Sequence, residues 1–283
     1  MIAQPELQTL RRIASKANPR VKDWAALSDK AERRRQGLTL AEGRRLVEEG
    51  FKRSGSALFP PKAFLVSDRG AERPEAGVLL ARARELGLEC INLSEPCCQK
   101  ITRQIAPDGL ALVCGIPEAD GDLPTGTCMS GIWLVADGVQ DPGNAGALAR
   151  TALAAGAAGC LFLDGADPTS PKFLRGSMGA AFTLPCPSWT SADFARRRSN
   201  LPLRIAIATA DPTARDYRNY PCEPPLGIIM GGEKGVSDAL AALADDRIHI
   251  PLSGGVESLN LAVAAGILLF TGRSSVNKAR TAM

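Results

Sequence analysis

The 283-residue sequence contains one histidine and no pair of cysteines at the two-residue spacing that is typical of zinc sites. Among its eight cysteines only Cys97 and Cys98 lie close together in sequence, so we expect reduced thiols and no metal centre. The histidine, His249, lies between two isoleucines in a predicted strand. Because no polar partner stands beside it, we expect a structural role rather than a catalytic one.

Long apolar stretches are also missing. No stretch reaches the roughly 20 apolar residues of a membrane helix, and the first twenty residues lack the continuous apolar segment of a secretory signal. Hydrophobic residues make up 45% of the chain and charged residues 23%, as is typical of soluble globular proteins. We therefore expect a cytoplasmic protein without a membrane partner.

Two nucleotide-binding signatures are absent from the sequence. No GxGxxG follows the first predicted strand, which disfavours a dinucleotide-dependent oxidoreductase. No GxxxxGK[ST] occurs either, which disfavours an NTPase.

Positive charge is concentrated near the N-terminus. Residues 9–53 hold thirteen Lys or Arg and six Asp or Glu, although the net charge of the whole chain is only +4. Such a basic segment is typical of nucleic-acid binding, but a solvated helical face would have the same composition.

The chain divides into two predicted α/β parts. In residues 1–117, predicted helices and strands alternate, and residues 39–51 predict a turn into a helix. An apolar stripe predicts one helix that ends at Gly37; its members are Val21, Trp24, Leu27 and Ala31. Residues 118–130, rich in Pro, Gly, Asp and Thr, predict a linker to a second domain over 131–283.

In the second domain, buried strands followed by helices predict a parallel sheet flanked by helices. Ligands bind such sheets at the carboxyl ends of the strands. The last predicted strand leads through a polar, glycine-rich loop into an apolar helix over 261–270, which we expect to be buried and to end at Gly272.

Three loops after predicted strands carry polar residues: DGVQDPGNAGALARTA (137–152), IIMGGEKGVSDAL (228–240) and IPLSGGVESLN (250–260). In the first, Asn144 can cap the next helix, and in the second, Gly231 and Gly232 allow a ligand to approach the backbone. Each of the first two loops alone is also compatible with an ordinary cap or turn. The third, which places polar residues at a helix start, predicts a binding loop.

Taken together and in this order, the loops resemble the three motifs of the SpoU/TrmH family of SPOUT RNA 2′-O-ribose methyltransferases. Residues 141–152 match N-P-G-N-x-G-x-x-x-R-T-A, and residues 250–264 match I-P-M-x-G-x-x-x-S-L-N-V-x-x-A. Residues 231–237 are one residue shorter than the usual G-x-E-G-x-G motif but retain Glu233. Segments 15–27, 33–50 and 107–113 resemble the L30e-like substrate-binding domain of many members.

The resemblance implies a methyl transfer from S-adenosylmethionine to a ribose 2′-hydroxyl of RNA. It also implies a deep C-terminal trefoil knot and a homodimer formed through the methyltransferase domain. By position in the motifs, the cofactor would be held by Gly231, Gly232, Ile250, Leu252, Ser258 and Leu259. No metal is implied.

By the same resemblance, Arg150 is the catalytic arginine. Its polar partners around the ribose would be Asn144, Glu233, Ser258 and Asn260. Because arginine stays protonated at ordinary pH, we expect Arg150 to hold the adjacent phosphate and to stabilise the developing alkoxide rather than to act as a base.

The N-terminal domain would bind RNA phosphates through basic side chains. The candidates are Arg20, Lys22, Arg33, Arg34, Arg35 and Arg44. Any one of them is also compatible with a solvated surface charge. The resemblance favours large-subunit ribosomal RNA as the substrate, with transfer RNA as the alternative.

Two rival interpretations remain at this point. A catalytically inactive RNA-binding protein that retains the fold is supported by the shortened second motif. A nucleotide-binding α/β oxidoreductase is disfavoured by the missing glycine signature. Cofactor binding separates the oxidoreductase from the other two, and methyl transfer separates the enzyme from the inactive protein.

Overall fold

The computed structural model describes residues 2, 4–102, 108–117 and 129–281. The strands are β1 (Arg11–Ile13), β2 (Leu38–Glu42), β3 (Pro61–Ser67), β4 (Glu89–Leu93), β5 (Leu110–Gly115), β6 (Ile132–Asp137), β7 (Gly159–Leu163), β8 (Ser188–Trp189), β9 (Arg204–Ala208), β10 (Arg215–Asp216), β11 (Leu226–Gly231) and β12 (Asp246–His249).

The α-helices are α1 (Gln4–Gln8), α2 (Pro19–Ala26), α3 (Lys30–Gln36), α4 (Arg44–Lys52), α5 (Asp68–Ala71), α6 (Ala76–Glu85), α7 (Glu95–Thr102), α8 (Pro142–Ala155), α9 (Pro171–Ser177), α10 (Ser191–Arg197), α11 (Asp238–Ala241) and α12 (Leu261–Thr281). Of the predicted linker, residues 118–128 lie outside the described residues.

The chain forms two compact units. The first comprises Met1–Ala119 together with Thr169–Thr183, and the second comprises Asp120–Pro168 and Leu184–Met283. Residues 169–183 were predicted to belong to the second domain, but they pack with the first unit.

The first unit is built on a mixed five-stranded sheet in the order β1-β4-β3-β5-β2. Its core holds Trp24 and Leu27 from the α2 region, Leu65 of β3 and Ile91 of β4. The segment Thr169–Thr183 completes this unit: the Arg175 guanidinium donates to the Glu42 carboxylate, and the Phe182 ring lies 5.8 Å from the Phe59 ring.

Two features near the N-terminus differ from the sequence prediction. The predicted single helix is two helices, because the Asp29 carboxylate accepts hydrogen bonds from the backbone N–H groups of Ala31 and Glu32 and starts α3 there. Ala31 is therefore exposed instead of joining the apolar stripe. The predicted end at Gly37 is confirmed, since this residue adopts a left-handed conformation with φ +66°.

The predicted turn at the start of residues 39–51 is wrong. Residues 38–42 form β2, which pairs antiparallel with β5. Leu38 lies opposite Gly115 at one end of the pairing, and Glu42 lies opposite Ala111 at the other. The helix that was predicted to follow is present as α4.

The second unit contains a seven-stranded sheet in the order β10-β12-β9-β11-β6-β7-β8. Every described strand pair in it is parallel, which confirms the predicted parallel sheet. On one face Trp133, Val135 and Ile229 pack with Phe194 of α10 and Leu240 of α11. Helices α8 and α12 contact β7 and β6 respectively.

Helix α12 differs from its prediction in two ways. It continues past Gly272 to Thr281, so this glycine is not its end. A Cβ atom at Gly272 would lie 3.0 Å from both the Cβ of Cys222 and the Cδ1 of Ile132, so the glycine permits close packing there. The helix is also not buried on every side, because Val263 is 52% exposed.

The burial of Phe182 predicts how strongly its removal destabilises the first unit. Phe182 in the first unit and Phe194 in the second are both fully buried. Phe182→Ala leaves a cavity and is expected to lower the free energy of unfolding of the first unit by about 3–5 kcal/mol. Amide hydrogen exchange should then speed up in β2 and β5, whereas Phe194→Ala should affect β9 and β11. Faster exchange confined to β9 and β11 in Phe182→Ala would contradict this assignment.

Candidate active site at the carboxyl edge of the parallel sheet

The three motif loops follow β6, β11 and β12, whose carboxyl ends lie along one edge of the sheet. Strands β6 and β11 are direct neighbours, and their last residues, Asp137 and Gly231, pair in register. Strand β12 lies farther along, on the other side of β9. The first two loops therefore meet directly, and the third approaches from two strands away.

The first loop leads into α8. The Asp141 carboxylate accepts a hydrogen bond from the backbone N–H of Asn144 at 3.0 Å and caps the helix. The predicted cap at Asn144 is thus wrong: this residue lies inside the first turn, and its side chain is exposed. Arg150, two turns into α8, is exposed as well.

The second loop is a tight turn. The backbone N–H of Gly232 donates to the Asp137 carbonyl at 2.8 Å, and that of Gly235 donates to the Gly232 carbonyl at 3.0 Å. A Cβ atom on Gly231 would lie 2.0 Å from the Gly235 carbonyl carbon, and one on Gly232 would lie 2.9 Å from the carbonyl oxygen of Gly138. The two glycines are therefore required by the packing of the turn itself. Glu233 lies exposed within it.

The third loop is open. Residues 251–260 are all exposed, and within the described residues no backbone hydrogen bond joins 251–259 to another backbone group. Gly254 and Gly255 have φ values of +75° and +72°, and a Cβ atom there would meet nothing within 4 Å. Exposed Leu252 and Leu259, with free backbone N–H and C=O groups beside them, fit a ligand that has a flat apolar ring with polar edges.

The end of the third loop starts α12. The side-chain oxygen of Asn260 accepts hydrogen bonds from the backbone N–H groups of Ala262 at 3.0 Å and Val263 at 3.4 Å. Helix α12 then packs along α8, where Gly266 faces Thr151. This contact draws the third loop towards the helix that carries Arg150.

The predicted catalytic residues share one property. Arg150, Glu233 and Ser258 are exposed, and across the described ranges none of their side chains forms a hydrogen bond or ion pair. Asn260 differs, since its oxygen caps α12. The structure places all of these residues on the three loops and on α8 but joins no two of them by a hydrogen bond.

Sequence reasoning missed one buried carboxylate in this region. Asp137, the last residue of β6, is buried, and its Oδ2 accepts a hydrogen bond from the backbone N–H of Ser237 at 2.9 Å. The available signal was an acidic residue that ends an otherwise apolar strand.

The candidate RNA contacts in the first unit fall into three groups. Arg33 is only 2% exposed and donates to the carbonyls of Leu27 and Ser28 and to the Thr169 hydroxyl, so it cannot reach a phosphate. The predicted RNA contact at Arg33 is wrong because the fold buries this arginine, which its charge alone does not indicate. Lys22 and Arg34 are exposed, and among the described residues their side chains have no ion-pair or hydrogen-bond partner.

The other three candidates are paired with carboxylates on the surface. Arg20 donates to Glu89 at 2.6 Å, and this hydrogen bond lowers the pKa of the Glu89 carboxyl. Arg35 likewise lowers the pKa of Glu32 through its hydrogen bond, and Arg44 lies 3.1 Å from Glu48.

The buried thiols are poor nucleophiles. Burial raises the pKa of Cys98 and Cys114 to about 12, so both remain protonated at neutral pH. No group of three or more His, Cys, Asp or Glu within the described ranges could hold a metal ion. Nor is any helix there long and apolar enough to cross a membrane.

Comparisons with known proteins agree with the motifs. Residues 131–270 match the SpoU rRNA Methylase family, and residues 18–111 match the MRM3-like substrate binding domain. The 23S rRNA (guanosine(2553)-2′-O)-methyltransferase RlmP of Bacillus subtilis is 34% identical over 272 residues, covering 92% of this chain and 98% of that protein. The 23S rRNA (uridine(2479)-2′-O)-methyltransferase of Streptomyces viridochromogenes is 29% identical over 286 residues, covering 96% and 95%.

A solved structure extends the likeness to the fold. The AdoMet-bound rRNA methyltransferase from Sinorhizobium meliloti superposes with a TM-score of 0.76 at 27% identity, covering 94% of this chain and 98% of that one. The ordered motifs, the fold and the near full-length similarity agree with one another, and we conclude that this chain belongs to the SpoU rRNA methylase family.

Proposed function

We propose that this protein transfers a methyl group from S-adenosylmethionine to a ribose 2′-hydroxyl of ribosomal RNA, most directly of the large subunit, with transfer RNA as the alternative substrate. The observation that carries the proposal is the position of the three motif loops at one edge of the parallel sheet. The two relatives above are both named 23S rRNA 2′-O-methyltransferases. We also propose a cytoplasmic location.

The cofactor site lies between the second and third loops. Gly231 and Gly232 give the second loop its closed form, and backbone groups of Ile250, Leu252 and Leu259 hold the adenine, with Ser258 beside them. The support is the exposed apolar side chains and unpaired backbone groups of the third loop. When bound, S-adenosylmethionine supplies an electrophilic methyl group on a sulfonium.

The chain's own residues align and polarise the RNA. Arg150 holds the phosphate next to the reacting ribose and stabilises the negative charge that develops on the 2′-oxygen. Asn144, Glu233, Ser258 and Asn260 position the ribose for in-line transfer, in which alignment supplies much of the rate. Because the Asn260 oxygen caps α12, its amide N–H₂ is the part left to contact RNA.

Substitution of Arg150 tests the catalytic assignment. Arg150→Ala should lower kcat for methyl transfer to ribosomal RNA by about 10²–10³-fold and leave the Kd for S-adenosylmethionine within about twofold. Arg150→Lys should recover little, because lysine cannot make the bidentate phosphate contact.

The matched control is Arg196→Ala, since Arg196 is an exposed arginine on α10 of the same unit. Equal rates for the Arg150 and Arg196 variants would contradict the role of Arg150. A wild-type protein that binds the cofactor but methylates no RNA would instead favour the inactive RNA-binding protein, which the shortened second motif supports.

The first unit supplies RNA affinity. Lys22 and Arg34 are the strongest contacts in this proposal, because no carboxylate among the described residues competes for them. Arg20, Arg35 and Arg44 would first have to leave their ion pairs.

Salt-dependent binding distinguishes these groups. For Lys22→Ala combined with Arg34→Ala, affinity for a ribosomal RNA fragment should fall, and the slope of log K against log salt should become shallower by about 1 per lost phosphate contact. Arg35→Ala should change the slope less. Fluorescence anisotropy at several salt concentrations measures the affinity and the slope. Equal slopes for all variants would exclude Lys22 and Arg34 as phosphate contacts.

The second unit also carries the surface for a homodimer. Of the six exposed large hydrophobic side chains in the described residues, five lie between Leu252 and Phe270; they are Leu252, Val256, Leu259, Val263 and Phe270. Exposed apolar side chains concentrated in one part of a chain are typical of an interface. We place the dimer contact there and propose that the third loop and α12 form the trefoil knot of SPOUT enzymes.

Sedimentation velocity tests the dimer. The wild-type chain of 29.8 kDa should sediment at about twice that mass, and Val263→Glu should shift it towards the monomer. Val78→Glu is the matched control, since Val78 is exposed on the first unit. A wild-type monomer, or a similar loss of dimer in both variants, would contradict the proposed surface.

A further inference from the structure

Asp137 connects the first and second loops through both its backbone and its side chain. Its carbonyl oxygen accepts the Gly232 N–H at 2.8 Å, and its Oδ2 accepts the Ser237 N–H at 2.9 Å. Gly232 and Ser237 lie at the two ends of the second loop. One residue of the neighbouring strand therefore fixes both ends of the turn that contains Glu233.

The burial of this carboxylate is costly unless its oxygens are bonded. Asp137 is 6% exposed, and a buried charged group without partners destabilises a protein strongly. An apolar residue could fill the same space at the end of β6. The hydrogen bond from the Ser237 N–H gives this buried carboxylate a partner and a structural role.

Besides Asp137, the second loop is held by its own turn and by Val236, whose side chain packs against the core of the second unit. Gly232 and Gly235 form an isolated bridge, and Gly235 adopts φ +75°. The Ser237 side chain makes no capping hydrogen bond at the start of α11. Without the Asp137 carboxylate, Ser237 at the end of the second loop would lose its hydrogen bond to β6.

We infer that Asp137 is a positioning residue that clamps the shortened second loop in the form that receives the cofactor. It contacts neither substrate nor cofactor and acts through Gly232 and Ser237. The inference rests on the proposed function for the identity of the ligand. It also explains how a motif one residue shorter than usual keeps a defined shape, since the anchor comes from β6.

A second aspartate in the same unit, Asp245, provides a control that accepts a backbone N–H in the same way but is exposed rather than buried. Asp245 Oδ2 accepts the backbone N–H of Ile205 at 2.7 Å and a hydrogen bond from Arg198. It performs the same kind of bonding at the amino end of β9, away from the motif loops. Loss of Asp245 should therefore affect stability without affecting the cofactor site.

The experiment uses the full-length chain with S-adenosylmethionine and S-adenosylhomocysteine as probes. Calorimetry measures their Kd for wild type, Asp137→Ala, Asp137→Asn and Asp245→Ala, and hydrogen exchange follows the amides of residues 231–238. Asp137→Ala should raise Kd by about 5- to 100-fold, the range expected when a buried donor loses its partner, and should speed exchange in the loop. Asp137→Asn should restore most of the affinity, because its amide oxygen can accept the Ser237 N–H. Asp245→Ala should bind like wild type.

Ser237→Pro tests the same bond from the other side. Ser237 has φ −64°, which proline adopts, and the substitution removes the N–H while leaving Asp137 in place. It should reproduce the weaker binding of Asp137→Ala, and it keeps the test available if Asp137→Ala does not fold.

Unchanged affinity and loop exchange in both Asp137→Ala and Ser237→Pro would overturn the inference. So would an equal loss of affinity in Asp245→Ala, which would indicate general destabilisation. If wild type binds neither probe, the proposed function fails, whereas the exchange of residues 231–238 still shows whether Asp137 holds the loop.

Discussion

Parallel pairing in the seven-stranded sheet is the constraint on which the site depends. Because β6, β11 and β12 run in the same direction, the loops that follow them emerge at one edge, although about a hundred residues of chain separate the start of the first loop from the second. The hydrophobic side chains that hold these strands on both faces thereby determine where the polar loops lie. The packing of α12 on α8 adds the second constraint, since it brings the end of the third loop back to the helix that carries Arg150.

The second and third loops solve different physical problems. The second is short, closed by its own glycines and anchored to β6 through Asp137, so Glu233 has a defined backbone position. The third is exposed and leaves its backbone polar groups unpaired within the described structure. Backbone groups of this kind require water or a ligand as partners, and the apolar side chains beside them favour a ligand that is itself partly apolar. A closed loop and an open loop at the same sheet edge suit a site that binds a cofactor and then admits a large RNA.

Most of the second unit could be predicted from the sequence, because buried parallel strands are apolar throughout and the loops between them carry turn and cap residues. Predictions failed where tertiary packing decides the outcome. Arg33 carries the same charge as Arg34, and only the fold shows that one is buried and the other exposed. Gly231 and Gly232 were predicted to admit a ligand, whereas the turn needs them for its own packing. The association of Thr169–Thr183 with the first unit follows from Phe182 and Arg175, whose partners lie more than a hundred residues away.

The most direct test of the account is to map ribose methylation in the total RNA of cells that have or lack this gene, with the wild-type gene restored as the control. The account predicts that one 2′-O-methyl group in ribosomal RNA disappears on deletion and returns on complementation. Loss of a single site in transfer RNA would retain the reaction and change the substrate. An unchanged methylation map in every growth condition would contradict the central claim that this sheet edge is a working methyltransferase site.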